Sequence, residues 1–144
     1  MIEQVVDRWH AYLRGELPGG LDDLLDDDVV FFSPIVYTPQ RGRAVTTMYL
    51  EAAAGLLAGD RGTSPGAGSS GRPFRYTKTV LAGDTAVLEF ESTVGGTYVN
   101  GVDIITANEH GRIIEFRVMI RPLQAIELVH RQVAAALETM TPEQ

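Results

Sequence analysis

One acid in this chain sits where acids are costly. Asp103 falls within Val99 to Pro122, VNGVDIITANEHGRIIEFRVMIRP, among β-branched residues that read as a strand. Two such runs are joined by Asn108-Glu109-His110-Gly111, a turn composition that predicts an antiparallel hairpin. A turn symmetric about Glu109 and His110 sets Asp103 opposite Phe116. Side chains alternate along strands, so Asp103 shares a face with Gly101, Ile105, Ile114, Phe116, Val118 and Ile120. Burial among such residues disfavours the carboxylate and raises its pKa, which makes Asp103 a candidate proton donor near neutral pH. The alternative is a buried Asp satisfied by backbone or hydroxyl donors.

The nearest other strand acids are Glu89 and Glu91, and paired carboxylates can divide general-acid and general-base work. A two-residue turn at Gly95-Gly96 sets Leu88 opposite Asp103 and sends both glutamates to the other face. There Glu89 meets Lys78, beside Arg117 and Arg121, which favours an ionic surface or dimer contact. Only a bulge would reverse the facing of Glu89. Ser33, before Pro34, either positions a water or substrate group or simply ends its strand. Tyr37 and Tyr49 offer hydroxyls to a ligand or belong to the core, the helical position of Tyr49 favouring a pocket wall. Trp9 can donate one indole hydrogen bond.

His10 adjoins Trp9 and is expected to point elsewhere, His110 occupies an exposed turn, and His130 lies on the last helix. Such scattered histidines give neither a metal triad nor a Ser-His-Asp order. The run Asp22, Asp23, Asp26, Asp27, Asp28 lacks the spacing and glycine of a calcium loop and reads as a solvated helix end. There is no glycine-rich phosphate loop or dinucleotide fingerprint, so neither metal nor cofactor is expected.

These residues need elements to hold them. Ile2, Val5, Val6, Trp9 and Leu13 recur at helical spacing, predicting a helix over 2–15 that ends near Gly15. Leu21, Leu24 and Leu25 suggest further helical turns before a buried strand, Val29 to Phe32, with Ile35 to Thr38 as its continuation after a bend. Arg43 to Leu57 is a helix with one apolar face. Residues 59–72, GDRGTSPGAGSSGR, read as a flexible loop. Strands follow at Phe74 to Leu81, Ala86 to Thr93, Tyr98 to Ala107 and Arg112 to Arg121 as an antiparallel meander, and a helix closes the chain over 123–140. The order is that of an α+β domain occupying 1–144.

At 144 residues the chain has the length of one domain, and its net charge of −7 disfavours binding to nucleic acid or to anionic membranes. Without cysteine it has no disulfide or thiol nucleophile. MIEQVVDRWHAYLRG is neither a secretory signal nor a membrane span, so the expected location is cytoplasmic. Arg supplies 11 of the 12 basic residues, Lys78 being the other, which suggests a GC-rich genome.

This order of elements, with DDDVVFFSP, GRAVTTMYLEAA and above all VNGVDIITANEHGRIIEFRVMIRPL, resembles the nuclear transport factor 2-like superfamily, in its SnoaL-like and ketosteroid isomerase-like branch. The resemblance covers nearly the whole chain. It implies a strongly curved antiparallel sheet, wrapped by N-terminal helices into a cone with a hydrophobic pocket, plus an extra C-terminal helix. It also implies a homodimer built through the outer face of the sheet. Asp103 matches the isomerase acid that hydrogen-bonds the substrate oxyanion, a carboxyl kept neutral by apolar surroundings. Two partners differ: Ser33 stands where the isomerases place an Asp base before the Pro, and Trp9 stands where their first helix supplies a Tyr.

In the related limonene epoxide hydrolases an Arg lies two residues before the first Asp, and a second acid follows. This chain has Gly101 and Val118 at those places, so that triad is missing. FRVMIRPLQAI is similar to a bacterial group of SnoaL-like proteins. The resemblance thus implies a small cofactor-independent acid/base enzyme, isomerase or cyclase in type, for a hydrophobic cyclic carbonyl or polyketide-like substrate. Asp103 is its expected catalytic residue. Trp9, Ser33, Tyr37, Tyr49, Leu88, Phe90, Phe116, Val118 and Ile120 form the expected substrate-binding wall. A noncatalytic module for an apolar small molecule and a dimerisation domain are the alternatives.

Overall fold

The computed structural model describes residues 1–57 and 73–140, Met140 by its backbone alone; the expected loop at 59–72 lies outside the described residues. The elements are α1 (Ile2–Leu13), α2 (Gly20–Leu24), β1 (Leu25–Phe32), β2 (Gln40–Arg41), α3 (Arg43–Leu57), β3 (Arg75–Ala82), β4 (Thr85–Val94), β5 (Thr97–Ala107), β6 (Ile113–Arg121) and α4 (Leu123–Met140). The strands form one curved α+β sheet in the order β2-β1-β6-β5-β4-β3. Its pairs are antiparallel except β1 with β6, which run parallel. That pair is the parallel neighbour in an otherwise antiparallel sheet among the described residues. No hairpin joins β1 to β6, since the rest of the sheet and α3 lie between them in the chain, and a long connection permits parallel pairing.

The β4–β5 hairpin sets the facing of the central acid. Val94 pairs with Thr97 across Gly95 and Gly96, whose φ values are 55° and 80°. A two-residue loop that matches strand twist needs positive φ at both places, which glycine adopts without steric cost. Pairing is then regular down the hairpin, and Leu88 stands opposite Asp103 as expected. Burial alternates along β4, with Ala86, Leu88, Phe90, Ser92 and Val94 inward and Glu89 and Glu91 on the other face.

The β5–β6 register departs from the symmetric turn. Asp103 faces Val118, and Phe116 faces Ile105. The Asn108 side-chain oxygen accepts from the amides of His110 and Arg112, both at 3.0 Å, which lengthens the loop on the β6 side. A slip of two residues preserves the facing of Asp103, because the side-chain period is also two. A further irregularity between Thr106 and Ala107 turns Ile113 into the core in place of Ile114.

Ile35 to Thr38 does not extend β1. Pro34 and Pro39 have no amide to give a ladder, and Ser33 Oγ accepts from the amides of Ile35 and Val36, folding the chain into a turn. Pairing resumes at Gln40 and Arg41. The acidic run lies in α2 and β1, where Arg43 reaches Asp27 at 2.7 Å and Asp22 at 3.9 Å.

Helices cover the inner face of the sheet in two apolar clusters. Ile2, Val5 and Trp9 of α1 meet Leu88, Ile105, Ile113 and Phe116 in one cluster; Leu57, Phe90, Val99, Ala125 and Val129 form the other with α3 and α4. Ser92 Oγ donates to the Leu57 carbonyl at 2.9 Å and so satisfies one of the open carbonyls at the end of α3. Gly101 is required by close approach: a Cβ there would fall 2.6 Å from the Met119 carbonyl oxygen and 2.9 Å from Phe90 Cε2, at the edge of that ring. Among the described residues no helix is long and apolar enough to cross a membrane.

Candidate active site

Between the inner face of the sheet and helices α1, α3 and α4 lies a cavity of about 400 Å³. Pockets of this size hold small cyclic molecules. Asp103 lines it and is only 6% exposed. Its Oδ2 accepts a 2.6 Å hydrogen bond from the Tyr76 hydroxyl, which itself accepts from Trp9 Nε1 at 2.8 Å.

The direction of this chain is forced by its members. An indole N–H can only donate, and a phenol has one proton, so Tyr76 must accept from Trp9 and commit its proton to Asp103. Oδ1 has no hydrogen-bond partner among the described residues. When Asp103 is uncharged its proton belongs on Oδ1, because Oδ2 is already engaged as an acceptor. Burial raises the Asp103 pKa to about 7, against the Tyr76 hydrogen bond, which pulls it down. Burial and the adjacent Asp103 hold the Tyr76 phenol well above its usual range, so Tyr76 keeps its proton.

Aromatic packing fixes the three groups. Trp9 lies 4.9 Å from Phe116, centroid to centroid, and 5.4 Å from Tyr12. Phe74 stacks on Phe90 at 5.0 Å and meets Tyr76 edge-on at 5.0 Å. Side chains so wedged lose little further freedom on meeting a ligand.

Trp9, Ser33 and Tyr49 line the cavity with Asp103, and so do Phe90, Phe116, Val118 and Ile120. Ser33 lines the cavity while its hydroxyl oxygen accepts from the amides of the following turn. Tyr37 and Leu88 require correction. Tyr37 is 98% exposed on the turn between Pro34 and Pro39, away from the cavity. Leu88, although opposite Asp103, is fully buried in the cluster under α1 and presents no surface to a ligand.

Among the lining residues that escaped the sequence reading, Tyr76 and His10 bear most on the chemistry. Regular pairing from Ala82 and Thr85 would set Tyr76 opposite Glu91, facing outward; an irregularity between Tyr76 and Lys78 sets it opposite Phe90 instead. The available signal was the aromatic pair Phe74 and Tyr76 at the start of an otherwise polar strand. His10, expected to point elsewhere, lines the cavity with its ring edge-on to Tyr76 at 5.3 Å. Trp9, His10 and Leu13 fall on one helical stripe, which was its signal. Burial lowers the His10 pKa below its usual 6.5, opposed by Asp7 and assisted by Arg14. Among the described residues no three His, Asp or Glu side chains cluster as a metal site.

No family model and no curated protein matches the chain. Solved structures do. A steroid delta-isomerase from Pseudomonas aeruginosa is similar over 96% of this chain and 93% of its own, with a TM-score of 0.81 and 26% identity. An uncharacterised protein conserved in bacteria, with a cystatin-like fold, from Silicibacter pomeroyi matches over 95% of this chain and 86% of its own, at TM-score 0.75 and 27% identity. An NTF2-like protein of unknown function from Mesorhizobium loti matches over 84% and 91%, at TM-score 0.63 and 21% identity. Curved sheet, helical cover and these likenesses agree: the chain is similar in fold to the steroid delta-isomerase and to NTF2-like proteins.

Proposed function

We propose that the protein is a small acid/base enzyme, isomerase or cyclase in type, that needs no cofactor and acts on a hydrophobic cyclic carbonyl or polyketide-like compound. One observation carries this reading: Trp9 and Tyr76 fix Asp103 so that Oδ1 is left for a ligand inside an apolar cavity. A neutral carboxylic acid there donates to a carbonyl oxygen and stabilises the negative charge that grows when a neighbouring carbon loses its proton. The resulting hydrogen-bonded enolate can be reprotonated at another carbon, which is isomerisation, or can attack a second carbonyl, which is cyclisation.

The test uses 2-naphthol as an oxyanion-like ligand and a β,γ-unsaturated 3-oxosteroid and a panel of polyketide-like cyclic ketones as substrates. Wild type is expected to bind the naphthol and turn over at least one ketone, and Asp103→Asn to lose turnover by about 10²-fold or more. Asp103-dependent binding without turnover by wild type would place the protein among binding modules instead. We further propose that the part of the outer face around the exposed Val80 and Met119 is the homodimer surface. Met119→Lys should then shift the protein to monomer in light scattering, and an unchanged mass would remove that surface from consideration.

A further inference from the structure

We propose that His10 is the general base of this site, removing a carbon-bound proton while Asp103 holds the carbonyl oxygen. The inference rests on the acid/base reading of Asp103. Its ground is placement. His10 on α1 and Asp103 on β5 line one cavity, with the Tyr76 side chain between them: its ring meets the imidazole edge-on at 5.3 Å, and its hydroxyl reaches Asp103 at 2.6 Å. A small cyclic ketone in this space can present its oxygen to one and a neighbouring C–H to the other.

Elimination supports the same residue. Arg14 and Arg75 line the cavity, but a guanidinium has donors and no acceptor, and each is tied to a glutamate, Glu16 and Glu91. Ser33 Oγ already accepts two amide hydrogen bonds. Tyr76 has committed its proton and holds it firmly. The His10 ring makes no hydrogen bond or ion pair among the described residues, so an imidazole lone pair is open to a substrate. The charged groups around it are Asp7 and Arg14 on its own helix, with Arg75 on β3 and Asp103 on β5 lining the same cavity. Partial burial keeps His10 uncharged in the range where Asp103 is still protonated.

The chemistry balances without a co-reactant. The imidazole takes the proton α to the carbonyl, the C–H electron pair becomes the carbon–carbon double bond of an enolate, and the carbonyl π pair moves to the oxygen, which accepts a hydrogen bond from Asp103 Oδ1–H. The imidazolium then returns its proton to a different carbon in an isomerisation. In a cyclisation it protonates the new alkoxide. Either course restores neutral His10.

The test is exchange of the α-protons of 2-tetralone for deuterium in D2O, followed by NMR, with 2-naphthol affinity as the measure of an intact Asp103 pocket. Wild type should accelerate exchange. His10→Gln should slow it by about 10²-fold or more while binding naphthol normally. His10→Ala should be restored by added imidazole, which a purely structural histidine would not allow. The wild-type rate should rise as His10 loses its proton below pH 6.5 and fall as Asp103 ionises near pH 7, and His10→Gln should lose the acidic limb. Wild-type exchange by His10→Gln, or failure of imidazole to rescue His10→Ala, overturns the assignment. So does Asp103-dependent naphthol binding by wild type without exchange. Absence of Asp103-dependent naphthol binding overturns the underlying reading of Asp103 instead, so the two failures are distinguishable.

Discussion

Two tyrosine–carboxylate pairs stand on opposite faces of the same sheet. Inside, the Tyr76 hydroxyl donates to Asp103 at 2.6 Å; outside, the Tyr98 hydroxyl donates to Glu91 at 2.9 Å, and Arg75 adds an ion pair at 3.0 Å. Both carboxylates accept from a phenol, so that bond does not explain why Asp103 is protonated up to about pH 7. What differs is the surroundings. Asp103 lies among apolar side chains with no cation paired to it among the described residues, whereas Glu91 has a guanidinium partner and water within reach. The inner pair therefore stores chemistry and the outer pair decorates a surface.

Asp103→Asn breaks the inner member and should have the largest effect. Beyond the loss of turnover, it should change how stability depends on pH. Asp103 has its pKa raised from 3.8 to about 7, so between those values the folded chain keeps a proton that the unfolded chain releases. The unfolded state binds fewer protons there, and wild-type stability must fall as pH rises through that window, by about 1.4 kcal/mol per unit and about 4 kcal/mol in all. Asn removes this contribution. Urea unfolding at pH 4.5, 6 and 8 should show the variant gaining on wild type with rising pH, and parallel curves would refute the buried titration.

Much of this comparison could be read in the sequence, and the limit was backbone irregularity. The facing of Asp103 and of Glu89 and Glu91 follows from a tight glycine turn and strict alternation, and α3 was delimited at Arg43 and Leu57 by its apolar face alone. Tyr76, the other half of the inner pair, was not legible because one irregularity between Tyr76 and Lys78 reverses its face without a compositional signature. Ile113 replaced Ile114 for the same reason at the end of β5. The parallel neighbour of β6 depends on contacts distant in the chain, which alternation cannot specify. The Tyr37 expectation failed because Pro34 and Pro39 turn the segment away from the sheet.

Gly101→Ala comes next in size and asks whether the inner face tolerates a shift of its wall. The added methyl would collide with the Phe90 ring and the Met119 carbonyl, the latter backbone that cannot retreat alone. Overpacking of this kind costs about 1–3 kcal/mol. Phe90 can yield only toward the cavity it lines, so naphthol affinity should fall together with the melting temperature. A stable variant with normal affinity would show that the wall has slack.

Tyr76→Phe separates hydrogen bonding from burial at the inner pair. Loss of the hydroxyl removes the one influence that lowers the Asp103 pKa, so the carboxyl should titrate above pH 7 and the alkaline limb of activity should move to higher pH. Trp9 Nε1 is left without its acceptor in a residue that is 4% exposed, at a cost of about 1–3 kcal/mol. Carbon-13 titration of the Asp103 carboxyl measures the shift directly. A downward movement would mean that water had entered and solvated the acid.

Tyr98→Phe is the matched change on the outer face and should do least. Its hydroxyl bonds Glu91 in the open, where water replaces any lost partner and Arg75 still holds the carboxylate. Surface changes of this sort stay within about 0.5 kcal/mol. Naphthol affinity and the pH dependence of exchange should not move, because Glu91 lies on the face that does not line the cavity. The same atom is deleted from the same residue type beside the same kind of group, so a null result here, with a shifted titration in Tyr76→Phe, assigns the chemistry to burial. Equal effects from the two variants would mean that the faces are coupled through β4, and the separation into a working pair and a surface pair would fail.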